Sequence, residues 1–408
     1  MKRAAEETIA RYLQHFPCVA ILGVRQCGKT TLLGSLPAGW KRFDLERMAD
    51  RRLVEDPDLF LRLNPDRIAI DEAQLLPTLF PALRVAIDED RARKGRFVIT
   101  GSSSPELIRG ISESLAGRVA MIELSPFSWE EVTGTVGRDS FVRRLQDPRA
   151  NPADLVDGLQ PRGSLELAHQ YWFRGGYPEP WLTSDPDFSG RWMDQYIMTY
   201  LARDIRRLFP ALDEVRFRRF MEMLGGLSGS VLNYAEVARA LGVSQPTARD
   251  YFEIAHGTFL WRRVPAYAKD ATKRVVKHPK GYLRDSGLRH GLLRIPDLQA
   301  LLSHPAGGAS WEGMVIEEIL RQLDGLGAGY GYSFYRTGAG AEVDLVLEGA
   351  FGMVAVEIKH AQGADARDLR RLREFVVQQK ARLGVLISND VAIRHYDDRL
   401  VGLPFVCL

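Results

Sequence analysis

The sequence predicts an α/β protein, and three observations carry that expectation. An apolar run of buried-strand character, Cys18-Val19-Ala20-Ile21-Leu22, leads directly into the loop Gly23-Val24-Arg25-Gln26-Cys27-Gly28-Lys29-Thr30, and a helix begins at Thr30-Thr31-Leu32-Leu33. Four further short apolar runs alternate with helical periodicity, the pattern of a parallel sheet covered by helices. Near the C-terminus a second set of runs follows the order αβββαβ, so a smaller sheet closes the chain.

The loop at 23–30 names a ligand through its mechanism. Glycines let a tight turn aim backbone N–H groups at phosphate oxygens, a lysine reaches the β- and γ-phosphates, and a hydroxyl binds Mg²⁺. Gly23, Arg25, Gln26, Cys27, Gly28, Lys29, Thr30 and Thr31 are therefore expected to wrap a nucleotide, with Thr30 on the metal. A helix N-terminus behind the loop favours the anion further.

The four remaining strands of this first part are expected at Lys41–Leu45, Arg67–Glu72, Phe97–Ser103 and Val119–Leu124. Ligands of parallel sheets bind at strand C-termini, and polar residues gather there. Asp71 would hold the Mg²⁺ shell and Glu72 would orient and deprotonate the attacking water. Thr100, Ser102 and Ser103 would touch the γ-phosphate or that water, or simply cap the strand. Hydrolysis also needs a cation for the transition state, often an arginine from a neighbouring subunit. Arg118, just before the last strand, is the first candidate and Arg174 the second. No Asn-Lys-x-Asp element follows, so ATP is expected over GTP.

Bulk composition excludes several classes. The 408 residues are 45% hydrophobic and 26% charged, ordinary for a globular protein, and their number implies two to four domains. No apolar run approaches the roughly 20 residues that span a bilayer. The N-terminal Met1-Lys2-Arg3-Ala4-Ala5-Glu6-Glu7 carries acids and lacks a secretory apolar core. Cys18, Cys27 and Cys407 form neither a disulfide framework nor a metal spacing, and the histidines are scattered. A cytoplasmic protein without a membrane partner or zinc is the expectation.

Domain boundaries are expected at 1–145 for the nucleotide domain, 146–210 for a linker and helical lid, 211–300 for a winged helix–turn–helix, and 301–408 for the C-terminal module. The Pro/Asp/Gly-rich stretch 147–164 marks the linker. Leu232–Tyr251 has the helix–turn–helix rhythm: Val237 and Leu241 point inward, Gly242 permits the sharp turn, and Ser244 caps the second helix. Phe259–Ala268 would supply a β wing. From Arg262 to Arg294 there are ten Lys/Arg against only Asp270 and Asp285, although the whole chain is only +3. Such an excess is the footprint expected for DNA, held by non-specific or structure-specific phosphate contacts and not by sequence readout. A solvated surface with scattered ion pairs is the alternative.

In the C-terminal module Glu312 lies on the first helix, Asp344 on the second strand, and Glu357-Ile358-Lys359 at the end of the third. Alternation along Met353–Lys359 puts Glu357 and Lys359 on one face, beside Asp344 on the neighbouring strand. This layout resembles the PD-(D/E)xK nuclease core. The resemblance implies that Asp344 and Glu357 bind Mg²⁺, Lys359 activates water and Glu312 completes the metal site. Such folds also persist as binding scaffolds without catalysis.

Nearly the whole chain resembles one family. Gly23-x-Arg25-Gln26-x-Gly28-Lys29-Thr30, Asp71-Glu72-Ala73-Gln74, Thr100-Gly101-Ser102-Ser103, Leu115-Ala116-Gly117-Arg118 and Pro126-Phe127-Ser128 occur in order, followed by Gly175-Gly176-Tyr177-Pro178 and Lys277–Leu288. They are similar to the AAA-type ATPases of bacteria and archaea that carry a C-terminal domain of unknown function, number 4143. The resemblance implies a ring-forming ATPase, and a hexameric homo-oligomer is expected. The function expected is an Mg²⁺-dependent ATPase that remodels or translocates DNA, with a C-terminal module that would also cut it. The alternative is a nucleotide-gated interaction protein whose nuclease-like module is an inactive scaffold.

Overall fold

The computed structural model describes all residues except 103–109, 112, 184, 186, 187, 201–204, 206–208, 210, 211, 268–277, 338–340 and 364. The side chain of Ser102 lies outside the described set too, as do Ser103, Lys269, Lys273, Arg274 and Lys277. Contacts divide the chain into two compact units. One comprises Met1–Phe127 with Gly257–Phe259 and Asp324–Gly327; the other comprises Ser128–His256, Leu260–Leu323 and Ala328–Leu408.

The first unit is built on five strands, all at the expected places: β1 (Cys18–Gly23), β2 (Lys41–Asp44), β3 (Ile68–Asp71), β4 (Phe97–Ser102) and β5 (Val119–Glu123). Every neighbouring pair is parallel. Their order is β2-β3-β4-β1-β5, so β4 inserts between the loop-bearing β1 and the acidic β3. All six residues of β1 are buried, as a strand covered on both faces requires. Among the helices of this unit are α1 (Ala5–His15), α2 (Lys29–Gly34) and α3 (Leu79–Glu89). Leu79, Leu83 and Ile87 of α3 repeat every four residues and join Ile68, Ile70, Phe97 and Ile99 in one core.

In the second unit, α4 (Leu165–Arg174) and α5 (Phe188–Thr199) precede α6 (Glu214–Leu227), α7 (Tyr234–Leu241) and α8 (Gln245–Gly257). Asn233 accepts from Glu236 N at 3.3 Å to start α7, Gly242 ends it at φ 63°, and Ser244 Oγ accepts from Thr247 N at 3.2 Å to start α8. Val237, Leu241, Ala248 and Phe252 are buried, and Phe252 meets Phe220 of α6 edge-on at 4.8 Å. The helix–turn–helix thus forms as its sequence rhythm dictates.

The wing differs from expectation. Its strand β7 (Trp261–Val264) pairs antiparallel with β8 (Lys280–Leu283), which also pairs with β6 (Ser230–Val231). The run read as a basic surface therefore supplies a strand, followed by α9 (Ser286–Leu292). Arg262, Lys280, Arg284 and Arg289 are buried. Arg262 and Arg284 both pair with Glu317, and Arg289 donates to the carbonyls of Gly225 at 3.0 Å and Ser228 at 2.9 Å. Arg263 pairs with Glu253. Four of the ten cations of this segment are therefore spent inside the fold, and four more lie outside the described residues.

The C-terminal part follows the expected order: α10 (Gly307–Leu326), β9 (Tyr330–Arg336), β10 (Glu342–Gly349), β11 (Gly352–Ile358), α11 (Ala366–Gln379) and β12 (Leu383–Ser388). Two further strands, β13 (Arg394–Asp397) and β14 (Leu400–Pro404), extend the sheet to the order β13-β14-β12-β11-β10-β9. Strands β9, β10 and β11 are antiparallel, whereas β11, β12 and β14 are parallel. Leu372, Phe375 and Val376 of α11 pack on Val346, Ala355, Leu386 and Leu400.

His290 of α9 is held neutral by a directional chain. Trp172 Nε1 donates to Ser310 Oγ at 3.0 Å, and the imidazole spans Ser310 Oγ at 2.7 Å and the Phe173 carbonyl at 2.9 Å. The Phe173 carbonyl can only accept, so Nδ1 of the neutral ring carries the proton and Nε2 accepts from the Ser310 hydroxyl. Burial pushes the His290 pKa down to about 3. Below pH 6.5 the unfolded chain takes a proton that the native imidazole refuses, so stability falls as pH falls toward 3. Between pH 6.5 and 5 this term removes about 2 kcal/mol. Urea unfolding of the parent should weaken over that interval, and His290→Gln should show a smaller decline; equal slopes would disprove the linkage.

Candidate functional site

The parallel register sets Gly23, Asp71 and the end of β4 on one edge of the sheet. Ile21 pairs with Thr100 and Ile70 with Ile99, so Asp71 stands one strand beyond Thr100 at nearly the level of the loop. Gly23 must be glycine, because a Cβ there would overlap the Leu124 carbonyl oxygen. That close approach belongs to the same contact in which Leu124 N donates to Leu22 O at 2.7 Å. Gly28 turns the chain into α2 at φ 99°, a left-handed geometry that favours glycine.

Lys29 is buried, and its Nζ donates to the carbonyls of both Gly23 and Val24 at 3.0 Å. Thr30, Thr31 and Gln26 are exposed, Arg25 is half-buried and Cys27 is buried. Arg3 braces the loop from behind: it donates to Cys27 O at 2.7 Å and to Ser125 O at 2.6 Å, and its guanidinium lies 5.0 Å from the Phe127 ring centre. The peptide is planar, so holding Cys27 O on one side directs Gly28 N–H to the other.

Thr100 Oγ1 donates to Asp71 Oδ1, and Glu72 N donates to the same carboxylate oxygen at 3.2 Å. The Thr100 hydroxyl is buried at 0% exposure and also accepts from Glu72 N at 3.4 Å. Glu72 adopts φ 54°, a left-handed conformation uncommon for a non-glycine residue, and Gln74 Nε2 donates to its Oε2. This turn swings Glu72 out of the strand direction. Thr30 hydroxyl and Asp71 carboxylate are the hard oxygen donors that Mg²⁺ takes, so the residues at this edge fit a magnesium-bound nucleotide.

Arg118 precedes β5 and sits level with the start of β1, since Val119 pairs with Cys18. It is at the opposite end of the strands from the loop, about 15–20 Å away at the rise of a six-residue strand. Its guanidinium forms a bidentate pair with Asp88, at 2.8 and 2.7 Å. It therefore does not face its own loop. Arg174 stacks with Trp181 at 5.7 Å.

The C-terminal set is brought together. Asp344 lies one step beyond the Leu345–Val356 pair, and its Oδ2 accepts from Ile358 N at 2.8 Å. Glu357 Oε1 pairs with Lys359 at 2.8 Å, while its buried Oε2 has no hydrogen-bond partner among the described residues. Burial raises the pKa of Asp344 well above the carboxylate range, and the charges of Glu312 and Glu357 raise it further against Lys280. Glu357 is raised as well, by burial against the pull of Lys359. Glu312 accepts from Lys280 Nζ at 3.1 Å and from Tyr282 OH. The expectation that Glu312, Asp344 and Glu357 hold Mg²⁺ meets a cation already among them. Among the described residues, no three His, Cys, Asp or Glu side chains stand where they would share one metal ion.

Comparison with known sequences agrees with this geometry. A family model described as an AAA domain matches residues 15–133, and domains of unknown function, DUF8612 and DUF4143, match 165–299 and 307–408. The uncharacterized proteins Rv2008c of Mycobacterium tuberculosis and Mb2031c of Mycobacterium bovis are each 35% identical over 406 residues, covering 99% of this chain and 83% of the relative. This chain belongs to their family of AAA-domain proteins with a C-terminal DUF4143. Among solved structures, the Walker-type ATPase PABY2304 of Pyrococcus abyssi is similar at 16% identity and a TM-score of 0.43, over 71% of this chain and 94% of that one.

In this AAA–DUF4143 protein, three contacts escaped the sequence reading. Gln74 stood in a quoted motif without a role, Arg3 in an unremarkable N-terminus, and Lys280 in the basic run. No described helix is long and apolar enough to cross a membrane. A separate cavity of about 1010 Å³ is lined by Arg174, Arg218, His290 and Arg294, among others, and no motif had marked it.

Gly23→Ala tests the close approach. It should cost about 1–3 kcal/mol, as overpacking of a tight contact does, lowering the melting temperature of the AAA unit and weakening ATP binding. An unchanged melting curve would show that the β1–Leu124 approach relaxes freely.

Proposed function

We propose that this protein is an Mg²⁺-dependent ATP hydrolase. The observation that carries the proposal is the Thr100–Asp71 hydrogen bond, which presents a strand-end carboxylate one strand away from a loop whose lysine is buried beside its own carbonyls. Lys29 would exchange the carbonyls of Gly23 and Val24 for β- and γ-phosphate oxygens. Backbone N–H groups of the loop, Gly28 among them, would complete the cradle. Thr30 and Asp71 would hold Mg²⁺, which would supply charge neutralisation for the phosphates. Glu72, restrained by Gln74, would accept the proton of the attacking water.

Lys29→Ala should abolish both ATP binding and turnover. Glu72→Gln should leave binding within a few-fold while lowering turnover by about 10²-fold or more, the usual scale of lost general-base catalysis. Wild-type turnover in either variant would remove that residue from its role. Arg118 would serve the pocket of a neighbouring subunit in a homo-oligomeric ring, as its position away from its own loop supports. Arg118→Ala should then retain ATP affinity and lose turnover only when assembled.

DNA is the partner we propose. The support is α8, whose exposed Gln245, Arg249 and Asp250 follow the Ser244 cap, with exposed Arg239 nearby on α7. Arg249 rests on Tyr234 at 5.4 Å, which holds its guanidinium outward. Arg239→Ala and Arg249→Ala should each weaken duplex binding and reduce the slope of log affinity against log salt by about one. The internal pairing of the basic run favours the alternative of a nucleotide-gated interaction protein. An ATPase rate unmoved by duplex, junction or single-stranded DNA would decide for that alternative.

A further inference from the structure

Lys280 is the least expected member of the C-terminal carboxylate cluster. It comes from β8, in the wing, whereas Glu312 belongs to α10 and Glu342 and Asp344 to β10. Its side chain is buried, with the residue 4% exposed. Its Nζ pairs with Glu312 Oε1 at 3.1 Å and with Glu342, and it lies 5.7 Å from the centre of the Phe334 ring. Tyr282, two residues along the same strand and so on the same face, donates its hydroxyl to the same Glu312 oxygen. Strand β8 therefore delivers a cation and a donor together into the position that faces the carboxylates.

One oxygen of each carboxylate is already engaged. Among the described residues, Glu357 Oε2 is left buried without a hydrogen-bond partner, and no three acids stand where they would share one ion. Glu312 Oε1 accepts from both Lys280 and Tyr282, Asp344 Oδ2 accepts from Ile358 N, and Glu357 Oε1 pairs with Lys359. Magnesium demands near-octahedral oxygen ligation and usually keeps several waters. A divalent ion entering here would meet the buried ammonium of Lys280 and the half-buried one of Lys359, and like-charge repulsion is strongest where screening is poor. The residues do not fit Mg²⁺ as they stand.

We propose that Lys280 is the resident cation of this cluster, so that the C-terminal module is a metal-free carboxylate site locked to the wing by an internal ammonium ion. Phosphodiester cleavage is then not the work of these residues. Their charge is spent on fastening β8 to α10 and β10. A corollary is that the carboxylates form a masked divalent-cation site, open only when the ammonium is removed.

Mn²⁺ uptake by the full chain, followed by electron paramagnetic resonance, tests this. All proteins carry Thr30→Ala and Asp71→Asn, which remove the hydroxyl and the carboxylate charge of the nucleotide site. The parent and its Asp344→Asn derivative should take up Mn²⁺ equally. Lys280→Met should gain one ion per chain, bound at least tenfold tighter than any residual uptake, and adding Asp344→Asn should remove it again. Lys280→Arg, which keeps the charge, should gain none. Uptake by the parent that Asp344→Asn abolishes would overturn the proposal, as would a folded Lys280→Met that gains nothing. If Lys280→Met does not fold, the parent and Asp344→Asn decide alone: equal uptake supports a resident ammonium, unequal uptake refutes it. None of these outcomes depends on whether the AAA unit hydrolyses ATP.

Discussion

The bond between Thr100 and Asp71 is where strand order becomes chemistry. Inserting β4 between β1 and β3 separates the phosphate loop from the acidic strand end by one strand spacing on each side, about 5 Å per step. A carboxylate at that distance needs a support, and the buried threonine hydroxyl provides one. The adjacent left-handed turn at Glu72 then aims the second carboxylate away from the strand, and Gln74 restrains it.

A different constraint organises the second unit. Glu317 on α10 is buried between Arg262 and Arg284. Burial alone would raise its pKa, yet the two guanidiniums prevail and hold it at about 2. The next residue, Glu318, accepts from Trp129 N at 2.9 Å and from Tyr171 OH at 3.0 Å, and Arg321 donates to Tyr171 OH at 3.0 Å. Buried ion pairs add little net stability over apolar packing, but removing one partner is costly, so such a network specifies which elements meet. Lys280 among Glu312 and Glu342 repeats the device on the same helix.

These two constraints explain why the same kind of residue was legible in one half and misread in the other. At Gly23–Thr30 the function is local: spacing within eight residues dictates the loop, and the apolar run before it dictates the strand. The place of Asp71 and Glu72 at a strand end was readable because they terminate an apolar run. Arg262, Lys280, Arg284 and Arg289 looked like a surface because charge density carries no information about burial. Their acidic partners lie 32 to 62 residues away along the chain, and those of Arg289 are backbone carbonyls, beyond any window of local pattern. The strands β13 and β14 were missed for a related reason, since short strands gain their identity from pairing with β12.

The sequence by itself determined the α/β class, the five strands of the AAA sheet, the nucleotide loop, the helix–turn–helix and the αβββαβ order of the C-terminal module. Each of these follows from periodicity, glycine placement or capping within a short stretch of backbone. Only the tertiary structure decided that Arg118 points away from its own loop, that Thr100 serves Asp71, and that a lysine from the wing sits among the C-terminal carboxylates. Those outcomes depend on which distant charges share a low-dielectric space, and electrostatic partnership there is set by three-dimensional distance and not by position along the chain.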